Sequence, residues 1–412
     1  MPVLRFSLKL TAYLAISLMF ASTATHYVRA QSVVFDFTGA DGSSPQGGVI
    51  FDRTGNIYGT TLEGGTDTNG TVFELSNDGG GAWSEQILHS FNVATPDGND
   101  PASSSLTLTA SGSLYGTTEF GGARLSGVAY LLVHSGTSWV QKIIHTFDHS
   151  NGDGFNPVGT MLLDASGNLY GATTSGGADG YGTVFEIVVA KNGLWTEKIL
   201  YSFKNDGHDG NSPFCDLIFD QSGDIFGTTA LGGANGGGTV FELLPKSGGG
   251  WTEKILYSFH KKPDGDAPNG GVVLDAARNL YGTTYRGGVN NFGTAFRLTP
   301  RSGGGWQKTT LYSFTSADVG ISGPANSLAF DTAGNLYGPI LDGGANGVGS
   351  IFKLTPSSGG LWTESTFYSF EDGTGGPAFP SSGLMLGPDG KFYGASAGGG
   401  SVGLGTIYSI AP

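Results

Sequence analysis

From residue 32 onward the chain alternates between short apolar runs and stretches rich in glycine, asparagine and aspartate, with no helical apolar period. The first full set reads GVIFD at 48–52, NIYGTT at 56–61, GTVFEL at 70–75 and WSEQILHSF at 83–91. Apolar runs this short, bounded by turn-forming residues, predict four β-strands, here named a to d. TVFEL and LIFD are apolar at successive rather than alternate positions, which predicts sheets covered on both faces. Asp52, Asp164, Asp220, Asp275 and Asp331 open the a-to-b turn. Glycine follows three residues later at four of these five sites and Arg278 at the other, a pattern that suits a type I turn closed by a left-handed residue.

The four-strand set recurs. GNIYGTTLEGG at 55–65 returns in loosened form along the chain, and its aromatic serves as a ruler at Tyr58, Tyr115, Tyr170, Phe226, Tyr281, Tyr337 and Tyr393. The spacings are 57, 55, 56, 55, 56 and 56 residues. An all-β repeat of this length predicts one propeller blade per copy, hence an all-β, seven-bladed β-propeller with four-stranded blades. The glycine after each ruler aromatic would weaken a strand unless another group approaches the backbone closely, so it is expected to seat an aromatic from the adjacent blade. Strands a, b and c occur seven times, but strand d follows strand c only six times. Each of those six opens on a tryptophan eight residues before a phenylalanine, from Trp83 and Phe91 to Trp362 and Phe370. The missing copy is expected at the other end, where SVVFDF ends on Phe37, so that the N-terminal strand completes the last blade and closes the ring. Residues 31–412 then form a single domain.

Composition fits a folded, loop-rich chain. Glycine supplies 73 of 412 residues and charged residues only 13%, while 12% aromatics and 38% hydrophobics are enough to offset the ordering entropy that a disordered composition cannot. Residues 1–30 read as a signal peptide: Arg5 and Lys9, an apolar stretch too short to span a bilayer, and Val28-Arg29-Ala30 before the cut. Removing Arg5, Lys9 and Arg29, with no acid lost, takes the net charge from −14 to −17. Such a surface repels nucleic acid and anionic lipid. The expectation is a secreted, soluble monomer, extracellular or periplasmic, with no nucleic-acid partner and no membrane insertion after cleavage. Cys215, the one cysteine, sits between a proline and an apolar strand and reads as a buried, inert thiol.

The phrases DxxGNLYGTT, GG, GTVFxL, WTExxLYSF and DGxxP resemble those of the GloVer tandem-repeat proteins of bacteria, over residues 32–412. The resemblance implies an exported bacterial β-propeller and supplies no catalytic residues. Members of that family often carry a C-terminal surface anchor, whereas this sequence ends on a strand.

Candidate chemistry lies in the d-to-a loops, which carry Asp-Gly-x-x-Pro at Asp41, Asp97, Asp153, Asp209 and Asp264, with Asp100, Asp206 and Asp266 nearby. Clustered carboxylates suit a hard cation such as Ca²⁺ or the hydroxyls of a polyol. Turn chemistry alone also accounts for the repetition, since Asp and Gly make a turn and Pro starts the next strand. His149, His208 and His260 lie in three consecutive d-to-a loops and, with these carboxylates, form a candidate ligand-binding set. His89 and His145 stand where Tyr201, Tyr257, Tyr312 and Tyr368 stand in later copies, so they read as packing residues with a polar tip. The six tryptophans, one per blade at a fixed register, read as core or rim packing. No catalytic signature is present, and no catalytic residue is assigned. The leading expectation is a non-catalytic recognition or scaffold propeller that presents its loops to an extracellular glycan, peptide or cell surface. The alternative is a lyase or hydrolase of polysaccharide or lactone substrates working on the acidic face, with or without Ca²⁺. Symmetry breaks occur in the loops TSADVGISGP and EDGTGGPAFP and at Pro339-Ile340, which replace Thr-Thr.

Overall fold

The computed structural model describes residues 31–412 except 95, 102–103, 151, 191–192, 205, 322 and 372–374. The signal peptide assigned to residues 1–30 lies outside the described residues. Seven antiparallel sheets follow one another along the chain, each with its strands in the order a-b-c-d. In the first blade these are Ile50–Phe51, Ile57–Thr61, Thr71–Asn77 and Trp83–Ser90. Strand a is reduced to two residues in most blades, as at Ile50–Phe51 and Thr107–Leu108. A seven-bladed β-propeller results, and no helix among the described residues is long and apolar enough to cross a membrane.

Strand d carries one residue more than its partner near its C-terminal end. Val72 pairs with His89 while Phe73 pairs with Ile87, which leaves Leu88 as the extra residue, and the other five c–d pairs slip at the same place. Such a bulge increases the local twist and bends the outer strand over its neighbour. Gln31–Asp36 pairs antiparallel with Thr406–Ile410 and slips in the same way, since Val33 opposes Tyr408 and Phe35 opposes Ile407. The N-terminal strand is therefore the seventh d strand, bulge included, and it closes the ring.

The core is distributed among the blade junctions. Between the first and second blades, Tyr58, Val72, Leu88 and Phe91 pack on Leu106, Leu114, Tyr130 and Leu132, all buried. Trp195, Trp251, Trp306 and Trp362 of strand d each cover the ruler aromatic of the preceding blade, as in Trp195 on Tyr115 at 5.8 Å and Trp362 on Tyr281 at 5.9 Å between ring centroids. The glycine after the ruler aromatic differs from expectation. A Cβ on Gly59 would lie 2.6 Å from Cζ of Phe73, which belongs to strand c of the same blade, directly across the ladder. The glycine that receives a neighbouring blade is the one opening strand c. At Gly70 (φ 95°) a Cβ would meet Cδ of Pro101, and the prolines of the other Asp-Gly-x-x-Pro loops dock on the preceding blade in the same manner.

Candidate functional site

Each aspartate of the d-to-a loops is engaged inside its own loop. Asp209 accepts the Tyr201 hydroxyl at 2.8 Å and the backbone N–H groups of Lys204 and Gly210 at 2.9 and 2.6 Å. Asp97 and Asp153 take the same place with His89 and His145 as the ring partner, and Asp264 with Tyr257. Asp41 accepts the N–H and hydroxyl of Thr38. In the sixth copy, which lost Asp-Gly, one helical turn at Ser316–Val319 brings Asp318 to the same spot, accepting Tyr312 Oη and Thr315 N. The loop therefore folds around its carboxylate, which replaces backbone partners at the point where strand d ends.

The three loop histidines are held separately. His149 Nδ1 lies 3.1 Å from Ser126 Oγ, His208 donates its backbone N–H to Asp206, and His260 Nδ1 lies 3.4 Å from Asp264. Among the described residues, no three ligand atoms from the eight predicted site residues lie within 4.8 Å of one another. Carboxyls pushed above their ordinary range are spread around the ring rather than gathered in one sector. Burial, then the charge of a neighbouring aspartate, raises Glu85, Glu119, Glu197 and Glu364 to about 7 and Glu253 to about 8.

The axis is narrow. Gly47, Ser104, Gly159, Gly270 and Ser327 line a cavity of about 100 Å³. Asp216 is the acid that projects into it, accepting Thr160 N at 2.8 Å and Ser327 Oγ at 3.0 Å, while Ser327 Oγ accepts Gly271 N at 3.1 Å. This network joins the third, fourth, fifth and sixth blades at the channel, so Asp216 ties the ring together from inside.

Above the channel, on the face of the d-to-a loops, lies a wider cavity of about 290 Å³. Two sets of residues build it, one following the loop proline and one following the Gly-Thr-Thr of strand b. The first set includes Gln46, Phe214, Asn269 and Ser381, and the second Tyr285 and Leu341. Both registers are fixed by the repeat, yet their side chains differ from blade to blade. Pro339, one of the symmetry breaks in the sequence, also lines the cavity. Phe214 is 45% exposed, and Asn269 Oδ1 is buried with no hydrogen-bond partner. Sequence reasoning missed this site. Its signal was variability at one position beside an otherwise regular motif: Gln, Val, Phe, Asn, Ala and Ser follow the loop prolines at residues 46, 158, 214, 269, 325 and 381.

The propeller is shared with solved structures. One is the extracellular domain of a protein described as a hybrid two-component system, BT3049 from B. thetaiotaomicron. It has a TM-score of 0.53 and 11% identity over 93% of this chain and 41% of its own, so this chain spans about two fifths of its length. Another is a protein described as a 6-phosphogluconolactonase from Bacteroides uniformis ATCC 8492, with a TM-score of 0.52 and 14% identity over 82% of this chain and 88% of its own. Identities this low show a common fold and nothing more. No curated protein matches the sequence. The Gloeobacter/Verrucomicrobia repeat matches residues 19–221, 137–322 and 216–412, three overlapping stretches that run through every blade, and the chain belongs to that family.

Proposed function

We propose that this propeller is an extracellular recognition module that takes a sugar residue of a glycan in the mouth above its channel. The observation that carries the reading is the convergence of the repeat's variable positions on one cavity. Seven near-identical blades have no structural need for different residues there, whereas an asymmetric ligand does. The chemistry of the lining favours a polyol. Phe214 offers an exposed ring to the C–H face of a pyranose, and Asn269 Oδ1, buried without a donor, is satisfied by a ligand hydroxyl. Placement outside the cell rests on the leader-like N-terminus. The raised carboxyls Glu85, Glu197, Glu253 and Glu364 stand at four of the seven blade junctions and none of them lines the mouth, where a lyase or hydrolase reading would need its acids.

The test is a glycan array on residues 31–412 followed by calorimetry with the best ligand. Phe214→Ala and Asn269→Ala are each expected to weaken binding about tenfold or more, a loss of about 1.4 kcal/mol, with melting temperature unchanged. Binding that survives both changes, but is lost when Asp41, Asp97, Asp153, Asp209 and Asp264 become Asn, would move the site to the loop carboxylates.

A further inference from the structure

A second repeated contact lies at the blade junctions, away from the mouth. Two residues after its tryptophan, strand d presents a side chain to the loop aspartate between its own blade and the preceding one. Glu85 faces Asp41, Glu197 faces Asp153, Glu253 faces Asp209 and Glu364 faces Asp318. Gln141 takes this position beside Asp97, where its amide reaches the Asp97 carbonyl. Lys308 takes it beside Asp264, with its ammonium 2.5 Å from the carboxylate and only 7% of the side chain exposed. The fold thus places a positive charge at this spot in the one junction where the sequence encodes one.

The third member of each junction comes from the preceding blade, two residues before its phenylalanine: Phe35, His89, His145, Tyr201, Tyr257, Tyr312 or Tyr368. Imidazole and glutamate coincide only between the second and third blades. There His145, Asp153 and Glu197 each offer a ligand atom within 4.8 Å of the other two. His145 Nε2 is 3.1 Å from Asp153 Oδ2, and the two side chains are 19% and 15% exposed. Glu197 Oε1 is buried with no hydrogen-bond partner. Backbone N–H groups of Asp148 and Gly154 hold the Asp153 carboxylate at 3.0 and 2.7 Å, the outer hydrogen bonds that orient a ligating carboxylate.

We propose that His145, Asp153 and Glu197 bind a divalent transition-metal ion, zinc(II) being the best match, which ties the outer strand of the second blade to that of the third. One imidazole nitrogen with two carboxylate oxygens suits zinc better than calcium, which takes six or more oxygens. Partial exposure leaves the fourth position to water. Binding requires the Nε2 lone pair, so the imidazole proton resides on Nδ1, and a proton held between Nε2 and Asp153 leaves as the metal enters. The ion then does what Lys308 does at the junction of the fourth and fifth blades.

The experiment uses residues 31–412 stripped of metal, with ZnCl₂ and CaCl₂ as probes in calorimetry and thermal unfolding. Zinc is expected to bind at one ion per chain and to raise the melting temperature, as any ligand of the folded state does, while calcium leaves it unchanged. His145→Tyr installs the residue that four later blades use, so the loop keeps its tie while zinc binding falls at least tenfold. Glu197→Lys copies Lys308; it is expected to abolish the zinc response and to raise the melting temperature of the metal-free protein. X-ray absorption at the zinc edge of the parent should show one imidazole among oxygen ligands, which holds whether or not either variant folds. No zinc binding by the parent, undiminished binding in folded variants, a calcium response as large as that to zinc, or a shell with two imidazoles or a thiolate would each overturn the site.

Discussion

Arg278 shows how a single departure from the repeat is explained only across a blade boundary. It stands where other copies have the turn glycine and adopts φ 62°, a left-handed conformation that costs a non-glycine residue about 1–2 kcal/mol. The reason lies one copy earlier. In the third blade Asn168 and Tyr170 donate to Asp164 at 2.9 and 3.2 Å, but in the fourth blade Asp224 and Phe226 replace that pair and cannot donate. Arg278 Nη2 supplies the missing donor, 2.7 Å from Asp220, 3.5 Å from Asp224 and 3.4 Å from Glu242. Restoring the consensus with Arg278→Gly relieves the backbone yet leaves three carboxylates together, two of them nearly buried. Removing one partner of a buried pair costs about 3–5 kcal/mol; with Arg278 45% exposed, a net loss of about 1–2 kcal/mol in urea unfolding is expected. Asp224→Asn and Phe226→Tyr added to that change should recover most of it. A single variant as stable as the parent would show that the arginine compensates nothing.

At the scale of the strand, the repeat phrase WTE encodes both a packing residue and a proton-sensitive contact. The tryptophan covers the preceding blade, and the glutamate two residues on is pressed against a loop aspartate. Burial and then Asp41 push Glu85 up to about 7; burial, then Asp209 and Asp206, push Glu253 up to about 8; burial and then Asp318 push Glu364 up to about 7. A group whose folded-state value is raised binds its proton more tightly when folded. Its stabilising contribution is therefore complete below the ordinary glutamate value of 4.5 and is lost as pH rises toward 7–8. Other titrations being held common, the melting temperature should fall between pH 5.5 and pH 8.5, and the triple change to Gln at these three positions should flatten that fall. A parent and triple variant with parallel profiles would contradict it. The strand pattern, the turns and the tryptophan register were all legible in the sequence. The partner of each glutamate was not, because it belongs to a loop about 44 residues earlier, and only the angle between adjacent blades decides which side chains meet.

For the whole molecule, closure is the decisive feature, and counting strands was enough to find it. Phe37 is fully buried and packs edge-on against Phe73 at 5.2 Å, while Ile407, Tyr408 and Ile410 beneath the N-terminal strand are also fully buried. A chain beginning at Gly39 lacks Phe37, uncovers Ile407, Tyr408 and Ile410, and leaves Thr406–Ile410 as an open edge. It should lose at least ~3 kcal/mol, the cost of one buried phenylalanine alone, and aggregate where the chain from residue 31 stays dispersed. Equal melting of the two chains would mean that the ring does not depend on its seventh outer strand.

The sequence by itself determined the blade count, the strand order, the a-to-b turns and the strand that closes the ring, because each follows from local period and register within a copy or from counting strands over the copies. Tertiary structure alone decided what happens between copies. It paired the ruler glycine with strand c of its own blade rather than with a neighbour, assigned Arg278 to the carboxylates of the preceding copy, and drew the residues after the prolines and after Gly-Thr-Thr into one mouth. These contacts join positions separated by about one period, and identical local motifs leave their geometry open until neighbouring sheets pack face to face at a fixed angle. The loop aspartates mark the difference most plainly: their spacing is written in the sequence, but that each is folded around by its own loop, while the cavity forms beside them, is a property of the assembled ring.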